Sequence, residues 1–264
     1  MLNPMRKTVI GLVIVMLGAV AAAAASEVTG PPPSTKPVYL YKTTFVRAAQ
    51  GKLLDLIALY KDRMAAIEAA GDVRPFWWRH TQGDQWDLMI LTPMGSYVEY
   101  YAKGRVARRD KAAAAAAAGA TWADFARKLD ACSSWKEDVF VMGPPLEFVK
   151  KAFEGTAYYH IEIFVSLPGK QEELFKEREM ENVYAVETKR PYNMIFVRDS
   201  GASWDLYTLG CYRDIKHWAV GEEVSKEQRA AAAQKAGFKA PEEIGPYMRT
   251  LIDFHRDTMG VAIK

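Results

Sequence analysis

Apolar and polar positions along the chain fall into two similar halves. From Val38 to Arg47, apolar, aromatic and polar residues mix as on a half-exposed strand. Leu53, Leu56, Ile57, Tyr60, Met64 and Ile67 then recur at three- and four-residue steps. That spacing puts them on one stripe of a helix, opened by Gly51-Lys52 and stopped at Gly71. The strand-like runs Pro75 to His80 and Gln85 to Thr92 flank a turn containing Gly83, which predicts a β-hairpin. Helices are expected over 94–103, through the alanine run 112–118 up to Gly119, and over 122–131. A last strand is expected over 139–142.

From Ala157 the order returns. Gly169-Lys170 lies 118 residues after Gly51-Lys52, and Leu174-Phe175 matches Leu56-Ile57 at the same offset. Trp204-Asp205-Leu206 repeats Trp86-Asp87-Leu88, with Gly201 and Gly83 each three residues ahead of the Trp. Ala230 to Ala233 and Gly237 fall on the alanine helix and on Gly119. His255-Arg256-Asp257 is expected near the end of the last helix, and 261–263 on the closing strand. Residues 38–145 and 157–264 thus read as two copies of one unit, joined by a connector over 146–156.

Each unit runs strand, helix, strand, strand, helical region, strand, which is the ferredoxin-like order. A sheet with helices on one face leaves its other face bare, and burying that face against the second unit's sheet serves both. The fold class is therefore α+β, with two tandem ferredoxin-like units packing into one intramolecular barrel. One chain supplies both sheets, so monomer and homo-oligomer stay open.

The element order, the Trp-Asp-Leu hairpin and the aromatic helix Tyr212-Arg213-Asp214-Ile215-Lys216-His217-Trp218 resemble the dimeric α+β barrel superfamily, with its NIPSNAP-like and antibiotic-biosynthesis-monooxygenase-like domains. The likeness spans both units. It implies a site between helix and sheet. Some members degrade haem with an Asn on the first strand and a Trp followed ten residues later by His. Here the first strand offers His160, and the position ten after Trp218 is Gln228. These departures weaken the haem-degrading reading, so no cofactor is predicted and haem stands only as a weakly supported alternative. Other members are cofactor-independent monooxygenases, which need only a pocket.

Composition narrows the address more than the chemistry. The formal net charge of +3 includes Arg6 and Lys7, ahead of an apolar run from Thr8 to Val20 and Ala23-Ala24-Ala25. This predicts a signal peptide over 1–25 and a Pro-rich linker over 26–37, hence an exported, periplasmic or secreted protein with no stable membrane insertion after cleavage. The near-neutral remainder gives no pull towards nucleic acid. Lys103, Arg105, Arg108, Arg109 and Lys111 read as a solvated helix face. Cys132 and Cys211 are not at equivalent positions, and two free thiols are favoured over a disulfide.

No nucleophile elbow, dinucleotide fingerprint, phosphate loop or zinc motif occurs, and no metal site is predicted. On the 158–165 strand, Tyr158, His160, Glu162 and Phe164 share one face and Tyr159, Ile161, Ile163 and Val165 the other. The apolar set is expected on the helices and the polar set towards the opposite sheet or a cavity. There His160 and Glu162 are the candidate proton-shuttling pair, or a hydrogen-bonded structural one. Arg178 and Asn182 replace Tyr60 and Met64 on the helix stripe, and with Tyr158, Tyr207 and Trp204 they are the candidate ligand contacts. Trp77 and Trp78 read as core, and Asp87 and Asp205, being repeated, as structural. The reading is an exported barrel binding a small apolar or aromatic ligand. The alternatives are a monooxygenase-like enzyme and a structural protein with a filled barrel.

Overall fold

The structure is a computed structural model and describes residues 37–116, 121–219 and 224–263. The expected signal peptide, the 26–36 part of the linker and Gly119 lie outside the described residues. The first half contains β1 (Tyr39–Ala48), α1 (Leu53–Ala69), β2 (Phe76–Gln82), β3 (Leu88–Gly95), α2 (Tyr97–Tyr100), α3 (Lys103–Ala115), α4 (Trp122–Cys132) and β4 (Ser133–Gly143). The connector is helix α5 (Leu146–Phe153). The second half contains β5 (Tyr158–Ser166), α6 (Gln171–Glu187), β6 (Met194–Ser200), β7 (Leu206–Tyr212), α7 (Ile215–Ala219), α8 (Lys226–Ala236), a short 3₁₀ turn, α9 (Ile244–Arg249) and β8 (Ile252–Ala262).

The strands order as β4-β1-β3-β2 in one half and β8-β5-β7-β6 in the other, all antiparallel. β2 then pairs with β8, and β4 with β6, so the two sheets join at both edges into a closed ring. Strand alternation sends every second side chain inward. Tyr41, Phe45, Trp78, Met89, Val139, Ile161, Phe196 and Tyr207 meet in one core cluster inside the ring. Val149 of α5 belongs to it, and Phe153 stacks near Trp78 and Tyr159. The helices lie outside. α1 and α4 cover the first-half sheet through Tyr60, Met64, Phe125 and Leu129, and α6 with α9 covers the second through Leu174 and Met248.

The repeated Trp-Asp pairs are scaffold. Trp86 and Trp204 are 1% and 2% exposed, and both sit in the inner cluster. Asp87 Oδ2 accepts from the Ala48 amide at 2.7 Å, and Asp205 Oδ2 accepts from the Ser166 amide at 2.9 Å. Each carboxylate thereby ties its hairpin to the end of the half's first strand, satisfying an amide that leaves the ladder.

Three expectations are corrected. β4 and β8 begin at Ser133 and Ile252, well before the predicted closing strands, so His255-Arg256-Asp257 lies mid-strand. These stretches are polar on one face, and their pairing with β1 and β5 supplies the backbone bonds that local propensity does not suggest. β3 runs on to Gly95, so the helix expected from Met94 starts at Tyr97, capped by Ser96. The faces of β5 are also the reverse of the reading. Tyr159, Ile161 and Ile163 point into the ring, and His160 and Glu162 point towards the helices. The ring's interior is the drier side, so it takes the apolar set.

Candidate functional site

In the first half the space between helix and sheet is filled by Tyr60, Met64, Ile90 and Phe125. In the second half Arg178, Asn182 and Thr208 stand at the places of Tyr60, Met64 and Ile90, and a cleft of about 810 Å³ opens between α6, α7 and the outer face of β5 and β7. His160, Glu162, Glu181, Tyr184, Tyr212 and Trp218 line it, with Lys189, Arg190 and Lys216 also on its walls. Trp218 lies edge-on to His160, with ring centroids 5.9 Å apart.

A charged network forms the floor. His160 Nε2 lies 2.9 Å from Asp257 Oδ1, and His255 Nε2 lies 3.2 Å from Asp257 Oδ2. Thr208 donates to Glu162 at 3.1 Å. Arg178 is 2% exposed and reaches Glu177 at 2.6 Å, Glu181 at 2.7 Å and Glu162 at 3.9 Å. Its guanidinium also lies over the Phe164 ring. Burial alone lowers the Arg178 pKa, but Glu181, Glu177 and Glu162 outweigh it and raise it, so the guanidinium stays charged. Glu177 is pushed up to about 7 by burial. Burial pulls His160 down, yet the bond to Asp257 and the nearby carboxylates leave its pKa raised. Asp257 is lowered, chiefly by its bond to His160.

The predicted residues separate into three groups. His160 and Glu162 line the cleft. Arg178 and Asn182 stand behind it; Asn182 holds the backbone of Asn193 by two bonds of 2.8 and 2.7 Å, and Arg178 holds the carboxylates. Tyr158 packs beside it against Tyr212 and Met259. Tyr207 and Trp204 are elsewhere, inside the ring, where the Tyr207 hydroxyl meets Thr43 at 3.0 Å. The grouping of these two with the others is corrected by strand alternation, which sends them to the opposite face. The sequence places Asp257 only at the end of an expected helix and gives no sign of Glu181 or Glu177. Asp257 was hidden because its stretch was read as helix, although Asp253, His255, Asp257 and Met259 alternate with Ile252, Phe254, Arg256 and Thr258 at strand period.

Haem needs apolar walls and an axial donor. Here Glu162, Glu181, Lys189, Arg190 and Lys216 make the cleft walls charged rather than apolar. Gln228 instead closes a capping box with Ser225 at the start of α8. These residues do not fit haem, and no step is derived through it. Cys132 and Cys211 are free thiols. A separate alanine-walled groove of about 930 Å³ runs between α1 and α3, away from this network.

No family model and no curated protein matches the chain by sequence. By fold it is similar to an anthrone oxidase-like protein, at 8% identity and a TM-score of 0.52, over 86% of this chain and 93% of that one. It is similar also to a provisionally assigned monooxygenase from Fusobacterium nucleatum, at 8% identity and a TM-score of 0.50, over 87% and 94%. A haem-binding protein from Thermus thermophilus follows at 13% identity and a TM-score of 0.43, over 89% and 94%. At these identities the likeness establishes the fold class alone: a mixed α+β protein with an eight-stranded antiparallel sheet. No helix among the described residues is long and apolar enough to cross a membrane.

Proposed function

We infer that the second-half cleft binds a small planar molecule bearing a hydroxyl or similar polar group, of the phenol or quinol class, in a protein exported after removal of residues 1–25. One observation carries the reading. The helix–sheet space that is packed shut in the first half is open in the second, and Tyr184, Tyr212 and Trp218 face it together with His160 and Glu162. A ring buried there gains about 25 cal/mol per Å² of apolar surface. Its hydroxyl finds hydrogen-bond acceptors on the floor. The ring's aromatic core leaves a pocket of only about 200 Å³, lined by Phe45, Trp86, Ile163 and Trp204, so the larger outer cleft is taken as the binding space.

The names of the two nearer fold neighbours make phenolic and anthrone-type compounds the first probes. Tryptophan fluorescence should saturate with such a probe, and Trp218→Ala should weaken the apparent affinity by roughly fivefold, the ~1 kcal/mol of an aromatic pair. Absence of saturation, or an unchanged affinity in the variant, would overturn the reading. The monooxygenase-like alternative is favoured by the Asp257–His160 bond, which orients an imidazole to accept a proton from a bound hydroxyl. Oxygen consumption with a bound phenol, lost in His160→Ala, is its signature.

A further inference from the structure

The floor of the cleft has an internal control in the other half of the chain. Thr44 pairs with Asp138 across β1 and β4, just as Glu162 pairs with Asp257 across β5 and β8. Lys42, Thr44 and Asp138 therefore occupy the same three places as His160, Glu162 and Asp257. In the first half this set carries its own cation: Lys42 Nζ lies 3.5 Å from Asp138, and Thr44 donates to the same carboxylate. In the second half the lysine has become a histidine and the threonine a glutamate, while the aspartate stays. The helix repeats the exchange, with Glu181 standing where the first half has Arg63. A built-in ammonium has been traded for carboxylates. Glu162 and Glu181, with the fully buried Glu177 behind them, meet one guanidinium, Arg178, while the half-exposed Asp257 meets only the imidazoles of His160 and His255. Like charges gathered at a partly desolvated place are costly unless a cation joins them.

The donor atoms are also in place. One nitrogen of His160 and one oxygen each from Glu162 and Asp257 lie within 4.8 Å of one another. His160 Nε2 and Asp257 Oδ1 are already 2.9 Å apart. Metal bonds of ~2.0–2.2 Å place neighbouring donors on one ion roughly 3–3.6 Å apart, so an ion enters by small side-chain adjustment. The outer supports of such a site are present too. His255 reaches the other oxygen of Asp257, and Thr208 and Arg178 hold Glu162.

We propose that His160, Glu162 and Asp257 form a divalent metal site, facing the cleft, for a first-row transition ion. One imidazole and two carboxylates suit manganese, iron or zinc, and the cleft leaves the remaining positions to water or to a bound molecule. The site goes beyond the phenol reading and does not require it.

The test titrates chelator-treated full-length protein with manganese or zinc chloride by calorimetry. One ion per chain is expected. The double variant His160→Lys with Glu162→Thr copies the first-half arrangement, supplies its own ammonium and should stay folded by circular dichroism while ion affinity falls by roughly 100-fold. The reciprocal variant, Lys42→His with Thr44→Glu, should raise the stoichiometry to two. No wild-type binding at millimolar ion, or binding that survives the copying variant and so belongs to other surface carboxylates, overturns the proposal. Phenol binding that persists in chelator while the ion fails to bind sinks the metal site alone. Ion binding without any phenol binding sinks the ligand reading alone.

Discussion

Glu177 shows what a single residue can disclose. It is 0% exposed, one of its carboxylate oxygens has no hydrogen-bond partner, and the other meets Arg178. Burial pushes its pKa up to about 7, against ~4.3 for a free glutamate. Below about pH 4 both the folded and the unfolded chain hold this proton. Between there and pH 7 only the folded chain does, so stability falls as pH rises through that window and levels off above it. Glu177→Gln keeps the shape and an acceptor for Arg178 but removes the buried charge. It should raise stability near pH 8 by roughly 1–3 kcal/mol and flatten the decline from pH 5 to 8, as read by urea unfolding. A variant with the wild-type pH slope would contradict this account. Nothing in the sequence singles Glu177 out, because a glutamate on a helix is ordinarily a solvated one.

At the scale of elements, the two hairpin glycines close the ring. Gly83 has φ +115° and a Cβ there would lie 2.3 Å from the Asp257 carbonyl oxygen of β8. Gly201 has φ +118°, and its Cβ would lie 2.9 Å from the Asp138 carbonyl oxygen of β4. Each glycine stands at one of the two seams between the halves. Gly83→Ala and Gly201→Ala should each destabilise by more than about 1 kcal/mol, from the left-handed backbone and the forced separation of strands. Gly83→Ala should further weaken ion binding by moving Asp257, while Gly201→Ala should leave it unchanged; thermal unfolding and calorimetry read the two effects. The spacing of glycine and tryptophan in both copies marked these hairpins. That they meet the opposite half's last strand was invisible, since β-pairing partners are set by register across the ring.

The whole molecule is a pseudo-symmetric ring whose halves complete one another. Separated, a half exposes the edges of β6 and β8, which are templates for pairing. Residues 146–264 expressed alone should elute at twice their mass, with β8 of one copy taking the place that β4 holds beside β6 in the intact chain. A folded monomer would count against the seam geometry. Only at this scale do the copies divide their labour: the first packs its helix–sheet space shut, and the second opens it over a charged floor.

The duplication, the element order and the α+β class followed from the sequence alone, because glycine and tryptophan spacing and a 3.6-residue stripe are local patterns that survive repetition. So did the differences between the copies, at Lys42 against His160 and Met64 against Asn182, which mark where any chemistry is to be sought. The tertiary structure decided which face of β5 meets water, and hence that Tyr207 and Trp204 are core while His160 and Glu162 line a cleft. It also brought Asp257 and Glu181 to that floor from β8 and α6. Alternation tells two faces apart but not which is inside; that depends on what the opposite sheet and helix bury against each, which no stretch of one strand encodes.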